Sequence, residues 1–117
     1  MTKVPIKPNV TIEDIDKLDV RVATIESVDE IAKSRKLMKL TLNLGDHTRT
    51  IVAGIKNERE DPKEIEGLQC LVIVNLEPRE LAGVLSEGMI FDIGYADGIV
   101  PVLSVPEKTV PDGTRVG

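Results

Sequence analysis

Two side chains able to act as nucleophile, base or soft metal ligand occur once each: Cys70 in the run QCLVIVN and His47 in the turn GDHT. A zinc site gathers several such ligands around one ion, and a lone histidine with a lone cysteine cannot supply them. A Ser-His or Cys-His pair would have to be built on His47, which has no partner in any recognisable motif. Cys70 has no second cysteine to bond, and within an apolar run it reads as a small hydrophobe in a buried strand. No catalytic residue, metal or cofactor is expected, and the chain is not read as an enzyme. What remains is binding chemistry. Lys33, Arg35, Lys36 and Lys39 crowd together where an alternating strand begins, and clustered cations of this kind neutralise phosphates.

The whole-chain charge runs the other way. A formal charge of −5 and a pI near 4.9 oppose the basic footprint of a phosphate-binding domain, so its distribution decides: many acids fall in Glu58 to Glu66, away from the basic cluster. An ordinary solvated surface of mixed charge gives the same pattern. Phe91 and Tyr95 are the only aromatics. Proteins that stack single-stranded bases need more rings than that, whereas recognition of a folded RNA by its shape needs few. At 117 residues, with 41% hydrophobic and 30% charged, the chain suits one domain with one core. It has no apolar stretch long enough to cross a bilayer, and MTKVPIKPNV lacks the apolar run of a signal peptide. A cytoplasmic protein with no membrane insertion is expected.

The elements that must position these residues are mostly strands. Met38, Leu40, Leu42 and Leu44 alternate with Lys39, Thr41 and Asn43, which is the period of a half-buried strand. Gly45-Asp46-His47 turns the chain, and Arg49 to Ala53 returns to complete a hairpin. Val20 to Val28 reads as a long first strand whose irregular alternation predicts a bend or bulge. Asp61-Pro62-Lys63-Glu64 predicts a helix start, with Asp61 as cap, Pro62 in the first turn and Glu64 completing a capping box; Gly67 ends it. Gln69 to Asn75, an apolar run, is expected to be the most buried strand, and Pro78 bars its continuation. Gly88 to Ile93 and Ile99 to Leu103 supply the last strands around a turn at Tyr95 to Gly98. Thr11 caps a short helix over residues 12–17. The order predicts an all-β fold with short helices, a five-stranded OB-fold barrel with terminal extensions, its core over about residues 18–93.

The stretch NLEPRELAGVLSEGM, Asn75 to Met89, together with LDVRVATIESV (Leu18 to Val28), RKLMKLTLNLGD (Arg35 to Asp46), RTIVAGIK (Arg49 to Lys56) and DPKEIEG (Asp61 to Gly67), resembles the tRNA-binding OB-fold module. That module ends many methionyl-tRNA synthetases and also occurs as free-standing tRNA-binding proteins, as the endothelial monocyte-activating cytokine domain and as the CsaA-like secretion chaperones. The resemblance covers almost the whole chain. It implies a site in which Arg21, Asn75, Ser86 and Met89 converge on one side of the barrel. Arg21 would pair with phosphate, Asn75 and Ser86 would hydrogen-bond to base or sugar edges, and Met89 would give an adaptable apolar contact. For each there is a bland counterpart: a solvated charge, a strand-ending turn former, a cap on its own turn and plain core.

The chain departs from the family in one loop. Many tRNA-binding members carry a histidine-proline and an alanine-aspartate ahead of the second strand, where this chain reads Ile31-Ala32-Lys33-Ser34-Arg35. Arg35 in place of the acid makes the loop more basic and adds Lys33, Arg35 and Lys36 to the expected tRNA contacts. The resemblance implies a non-catalytic protein that binds folded tRNA and acts in trans with an aminoacyl-tRNA synthetase. The alternative is a CsaA-like export chaperone whose groove takes unfolded polypeptide, with Met38 or Met89 as its apolar contact. Free-standing relatives use their terminal segments to form a homodimer; otherwise these segments plug the ends of a monomeric barrel.

Overall fold

The computed structural model describes residues 4–117; the first three residues of the N-terminal stretch lie outside it. Strands β1 (Val20–Glu30), β2 (Met38–Asn43), β3 (Thr48–Ala53), β4 (Gln69–Ile73) and β7 (Met89–Ile90) form one antiparallel sheet in the order β3-β2-β1-β4-β7. The long first strand serves both halves. Its residues 20–24 pair with β4 and its later residues with β2, and a bulge between Ile25 and Ser27 bends it between the two partners, as an extra residue in one strand does. The OB-fold barrel is therefore present, with its predicted bend in place.

Alternation along β2 puts Met38, Leu40 and Leu42 inside, against Ile25, Val28, Ile51, Ile55, Cys70 and Val72. Met38 is only 2% exposed, so it is core and cannot offer a peptide contact, which corrects that half of the chaperone expectation. Burial pushes the Cys70 thiol up to about 12, with the nearby Asp92 carboxylate adding to the shift. The thiol is thus the inert strand hydrophobe that its apolar neighbours predicted.

Closure of the barrel depends on hydrogen-bond parity. The hairpin bond from Leu44 N–H to His47 O fixes the alternation along β2 and β3, leaving the N–H groups of Thr50 and Val52 pointing away from β2. No full strand meets them. Glu87 Oε1 accepts from Thr50 N–H at 3.1 Å, Ser86 Oγ accepts from Val52 N–H at 3.0 Å, and Thr50 O accepts from Glu87 N–H at 2.8 Å.

Several elements differ from the sequence reading: the strand expected over Gly88 to Ile93 is split at Phe91 into β7 and β8 (Asp92–Ile93), and the one expected over Ile99 to Leu103 is confined to Val102–Leu103. The predicted capped helix at Asp61 is a single 3-10 turn, Pro62–Ile65: Asp61 accepts from Lys63 N–H as expected, but Glu64 lies 3.7 Å from Arg59 Nε rather than closing a capping box. Four residues are too few for a run of α-helical bonds, so the tighter turn wins. Between Pro78 and Ser86, where no strand was predicted, β5 (Arg79–Leu81) and β6 (Val84–Ser86) form a hairpin. Its turn residues Ala82 and Gly83 both have positive φ, 50° and 83°, the requirement of a tight type I′ connection.

The terminal segments behave differently from each other. Thr11 and Asp14 form a reciprocal capping box on α1 (Ile12–Asp16), yet no residue of α1 is buried. The C-terminal segment, by contrast, belongs to its own barrel. Strand β9 (Val102–Leu103) pairs with β8 (Asp92–Ile93) and sends Leu103 into the core, beyond the expected 18–93 span. Farther on, Gly113 N–H and Val22 O, Val22 N–H and Thr114 O, and Val116 N–H and Val20 O bond the tail to the edge of β1 that β2 leaves free. Gly113, at φ 88°, lies directly on Leu44 O, where a Cβ would collide.

Candidate nucleic-acid interface

Antiparallel pairing of Val20 with Ile73 brings the start of β1 beside the end of β4, which seats Arg21 and Asn75 at one mouth of the barrel. Asn75 Oδ1 accepts from Asp19 N–H at 2.8 Å and its Nδ2 donates to Lys17 O at 2.7 Å. The amide thus ties the α1–β1 linker to the barrel through both its acceptor and its donor. Arg21 donates from Nε and Nη2 to the two oxygens of Asp19 at 2.6 and 2.9 Å, and from Nη1 to Gly113 O at 3.5 Å. Its hydrogen bonds to Asp19 hold that carboxyl below the usual carboxylate range, with Arg115 and Arg49 adding to the effect. A groove of about 740 Å³ runs past these residues, with Lys17, Arg21, Asn75 and Arg115 on its wall.

Ser86 and Met89 line a second groove, of about 510 Å³, together with Val52, Leu76, Arg79 and Leu81. Met89 is 46% exposed and available to a ligand. Ser86 is not: it is 4% exposed, and its hydroxyl accepts from Val52 N–H and donates to Gly88 O at 3.3 Å. The expectation that this hydroxyl faces a ligand gives way to a loop clamp, because the open edge of β3 needs an acceptor at that point. The four residues taken from the resemblance do lie at one end of the barrel, but in two grooves.

Arg49, which the sequence reading did not single out, bridges the two. Its Nη1 donates to Val74 O at 2.5 Å and Glu87 O at 3.1 Å, joining the residue before Asn75 to the residue after Ser86. An arginine at the start of a returning hairpin strand was the only signal available.

The basic loop sits elsewhere. Residues 31–37 connect the far end of β1 to β2, so Lys33, Arg35 and Lys36 are separated from Arg21 by the length of β1, a path of about 30 Å before bending at ~3.3 Å per residue. All three are exposed. Ser34 Oγ accepts from the N–H groups of Lys36 and Leu37 and shapes the loop around them. Among the described residues Lys33, Arg35, Lys36 and Lys39 form no ion pair, whereas Lys56 pairs with Glu30, Arg59 with Glu58, and Lys63 with Asp29 and Glu66. These four cations form a local basic cluster at the tip, with Asp29 opposite Lys39 in the β1–β2 ladder and the acidic stretch after Asn57 adjoining the loop through the bond from Asn57 Nδ2 to Arg35 O.

Comparison with known proteins fits this geometry. A family profile described as a putative tRNA binding domain matches residues 20–115. Methionine--tRNA ligase of Cytophaga hutchinsonii is 42% identical over 113 residues, covering 97% of this chain and 16% of that protein. The Archaeoglobus fulgidus ligase is 43% identical over 114 residues, covering 97% of this chain and 17% of that protein, so this chain spans only a small part of those relatives. Among solved structures, a MetRS related protein from Pyrococcus horikoshii superposes with a TM-score of 0.86 at 32% identity over 95% of this chain and 100% of that one. The chaperone CsaA from Bacillus anthracis superposes with a TM-score of 0.81 at 26% identity over 94% and 100%. With a barrel, a basic tip and a family match that all cover the same residues, the chain belongs to the putative tRNA-binding domain family.

Proposed function

We propose that this domain is a non-catalytic binder of folded tRNA that works as a cytoplasmic homodimer, in trans with an aminoacyl-tRNA synthetase. The observation that carries the reading is the unpaired basic loop, Lys33, Arg35 and Lys36, on a chain whose net charge is −5. Cations left without partners on an otherwise acidic surface are what a phosphate backbone binds. Asn75 and Arg21 at the mouth, and Met89 in the adjoining groove, supply the contacts to sugar, phosphate and base; Ser86 contributes by fixing the loop that presents Met89. Replacing Lys33, Arg35 and Lys36 together by alanine tests the reading: the slope of log affinity for folded tRNA against log salt should flatten by roughly 0.7 to 0.9 for each phosphate no longer neutralised. An unchanged slope would place the phosphates elsewhere.

One observation favours a second reading, the chaperone. The groove beside Met89 is walled by Val52, Leu76 and Leu81, a lining suited to apolar side chains of an extended polypeptide. Dimerisation has its own support. The N-terminal Ile6, Ile12 and Ile15 and, separately, Ile93, Val102 and Val105 in and just after the β8–β9 pair are all more than half exposed, and exposed apolar side chains in both terminal segments support a role for them in an interaction surface. Because β9 and the tail are integral to the barrel, truncation after Gly98 would damage the fold. Sedimentation of the full chain against Ile12→Asp is the cleaner comparison, and a monomeric full chain would rule the dimer out.

A further inference from the structure

The Arg21 mouth holds an arrangement that the tRNA-binding reading does not require. Arg21 and Arg115 face each other across an isolated antiparallel bridge between β1 and the tail. Like charges directly opposite in this way are destabilising unless an anion lies between them. Asp19 supplies an anion against Arg21, near enough for Arg115 to help hold its carboxyl low. Its backbone is fixed on both sides, with N–H donating to Asn75 Oδ1 and O accepting from Val74 N–H at 2.9 Å, while its carboxylate lies flat against the Arg21 fork and remains 35% exposed. Arg115 is exposed and, among the described residues, has no ion pair of its own. Lys17, also exposed on the groove wall, is held only by Asp14 at 3.4 Å. Asp16 and Gly117 also lie on that wall.

A carboxylate bidentate on a guanidinium occupies the same donors that a phosphate would take. We propose that this mouth is a second phosphodiester subsite, in which a phosphate of bound RNA is held by Arg115 and displaces the Asp19 carboxylate from Arg21. Asp19 acts as the built-in competitor: it keeps the Arg21 fork aligned when the site is empty and weakens contact with any anion unable to reach Arg115 as well. Phosphate contacts then occur at both ends of β1, at the basic loop and at the tail, so the RNA backbone would run along the length of the barrel. The proposal rests on the tRNA-binding reading and names residues that the reading leaves unassigned.

Filter-binding of folded tRNA across a salt series tests it, with the wild-type chain, Arg115→Ala, Arg115→Glu, Asp19→Asn and the basic-loop triple variant measured side by side. Arg115→Ala should flatten the salt slope by roughly 0.7 to 0.9, and Arg115→Glu should weaken binding further. Asp19→Asn should tighten binding about fivefold at low salt, the effect of removing one unit charge about 4 Å away in water. Arg115 is exposed and, among the described residues, makes no side-chain hydrogen bond, so its variants remain folded and informative whatever Asp19→Asn does to stability. If the wild type and the loop variant differ as expected while both Arg115 variants match the wild type, the subsite is overturned and the tRNA reading stands. If the wild type binds no tRNA, both fall.

Discussion

Ser86→Ala separates a structural from a ligand-facing hydroxyl, and the structure fixes the expected size of its effect. The variant leaves the N–H of Val52, itself 8% exposed, with no acceptor at the open edge of β3. Gly88 O loses a donor as well, at a longer 3.3 Å. A buried donor left unsatisfied costs about 1 to 3 kcal/mol, because water cannot reach it. For a domain of this size each kcal/mol lowers the melting temperature by roughly 3 to 5 °C, so a fall of about 3 to 15 °C is expected. Thermal and urea unfolding followed by circular dichroism measure it, and tRNA titration well below the transition should give near wild-type affinity, because the groove reforms around Met89 once the chain is folded. A variant that melts with the wild type but has lost tRNA affinity would refute the reasoning and return the hydroxyl to the ligand.

Asp92 gives a pH prediction. Burial holds its carboxyl above the usual carboxylate range, with Arg59 opposing the shift, and Glu58 is raised by its own burial and by repulsion from Asp92; among the described residues Asp92 Oδ1 has no hydrogen-bond partner. With folded values above unfolded ones, the folded state retains protons that the unfolded chain has released, so this pair favours folding most at low pH and the benefit is lost as pH rises through the raised values. Asp92→Asn should flatten that decline and raise the urea midpoint at neutral pH; parallel profiles for variant and wild type between about pH 4 and pH 8 would contradict it. Cys70 should react with a thiol-specific disulfide reagent only as fast as the barrel unfolds, since its thiol is fully buried and shifted to about 12. Rapid labelling of the native protein would show that β4 opens locally.

The residues with strong periodicity were the ones legible in the sequence. Met38 to Leu44 alternates so regularly that its strand, its buried face and its hairpin partner all follow, and the irregularity in Val20 to Val28 does correspond to a bulge. The β5–β6 hairpin escaped notice because three-residue strands are too short to repeat the two-residue strand period and Ala82 gives no hint of its left-handed φ. The helix at Pro62 shrank to a 3-10 turn because capping residues mark where a helix starts but not whether enough chain follows to sustain it. At the site, the family resemblance indicated that Arg21 and Asn75 belong together but not by what means: the Asp19 fork and the linker clamp depend on long-range register between β1 and β4. Arg49 and Arg115 were missed for the same reason, since their neighbours Val74, Glu87 and Arg21 are remote in the chain.

The proposed function is a preference of the barrel's basic loop and arginine mouth for a folded nucleic acid over an unfolded chain. Its most direct test is a competition at matched salt, with labelled folded tRNA bound to the full chain and challenged by unlabelled tRNA or by a permanently unfolded, reduced polypeptide. The expected result is displacement by tRNA, binding that weakens steeply with salt, and little displacement by the polypeptide. Tight, salt-insensitive binding of the unfolded polypeptide, with no binding of tRNA, would contradict it and make the groove at Met89 the functional site.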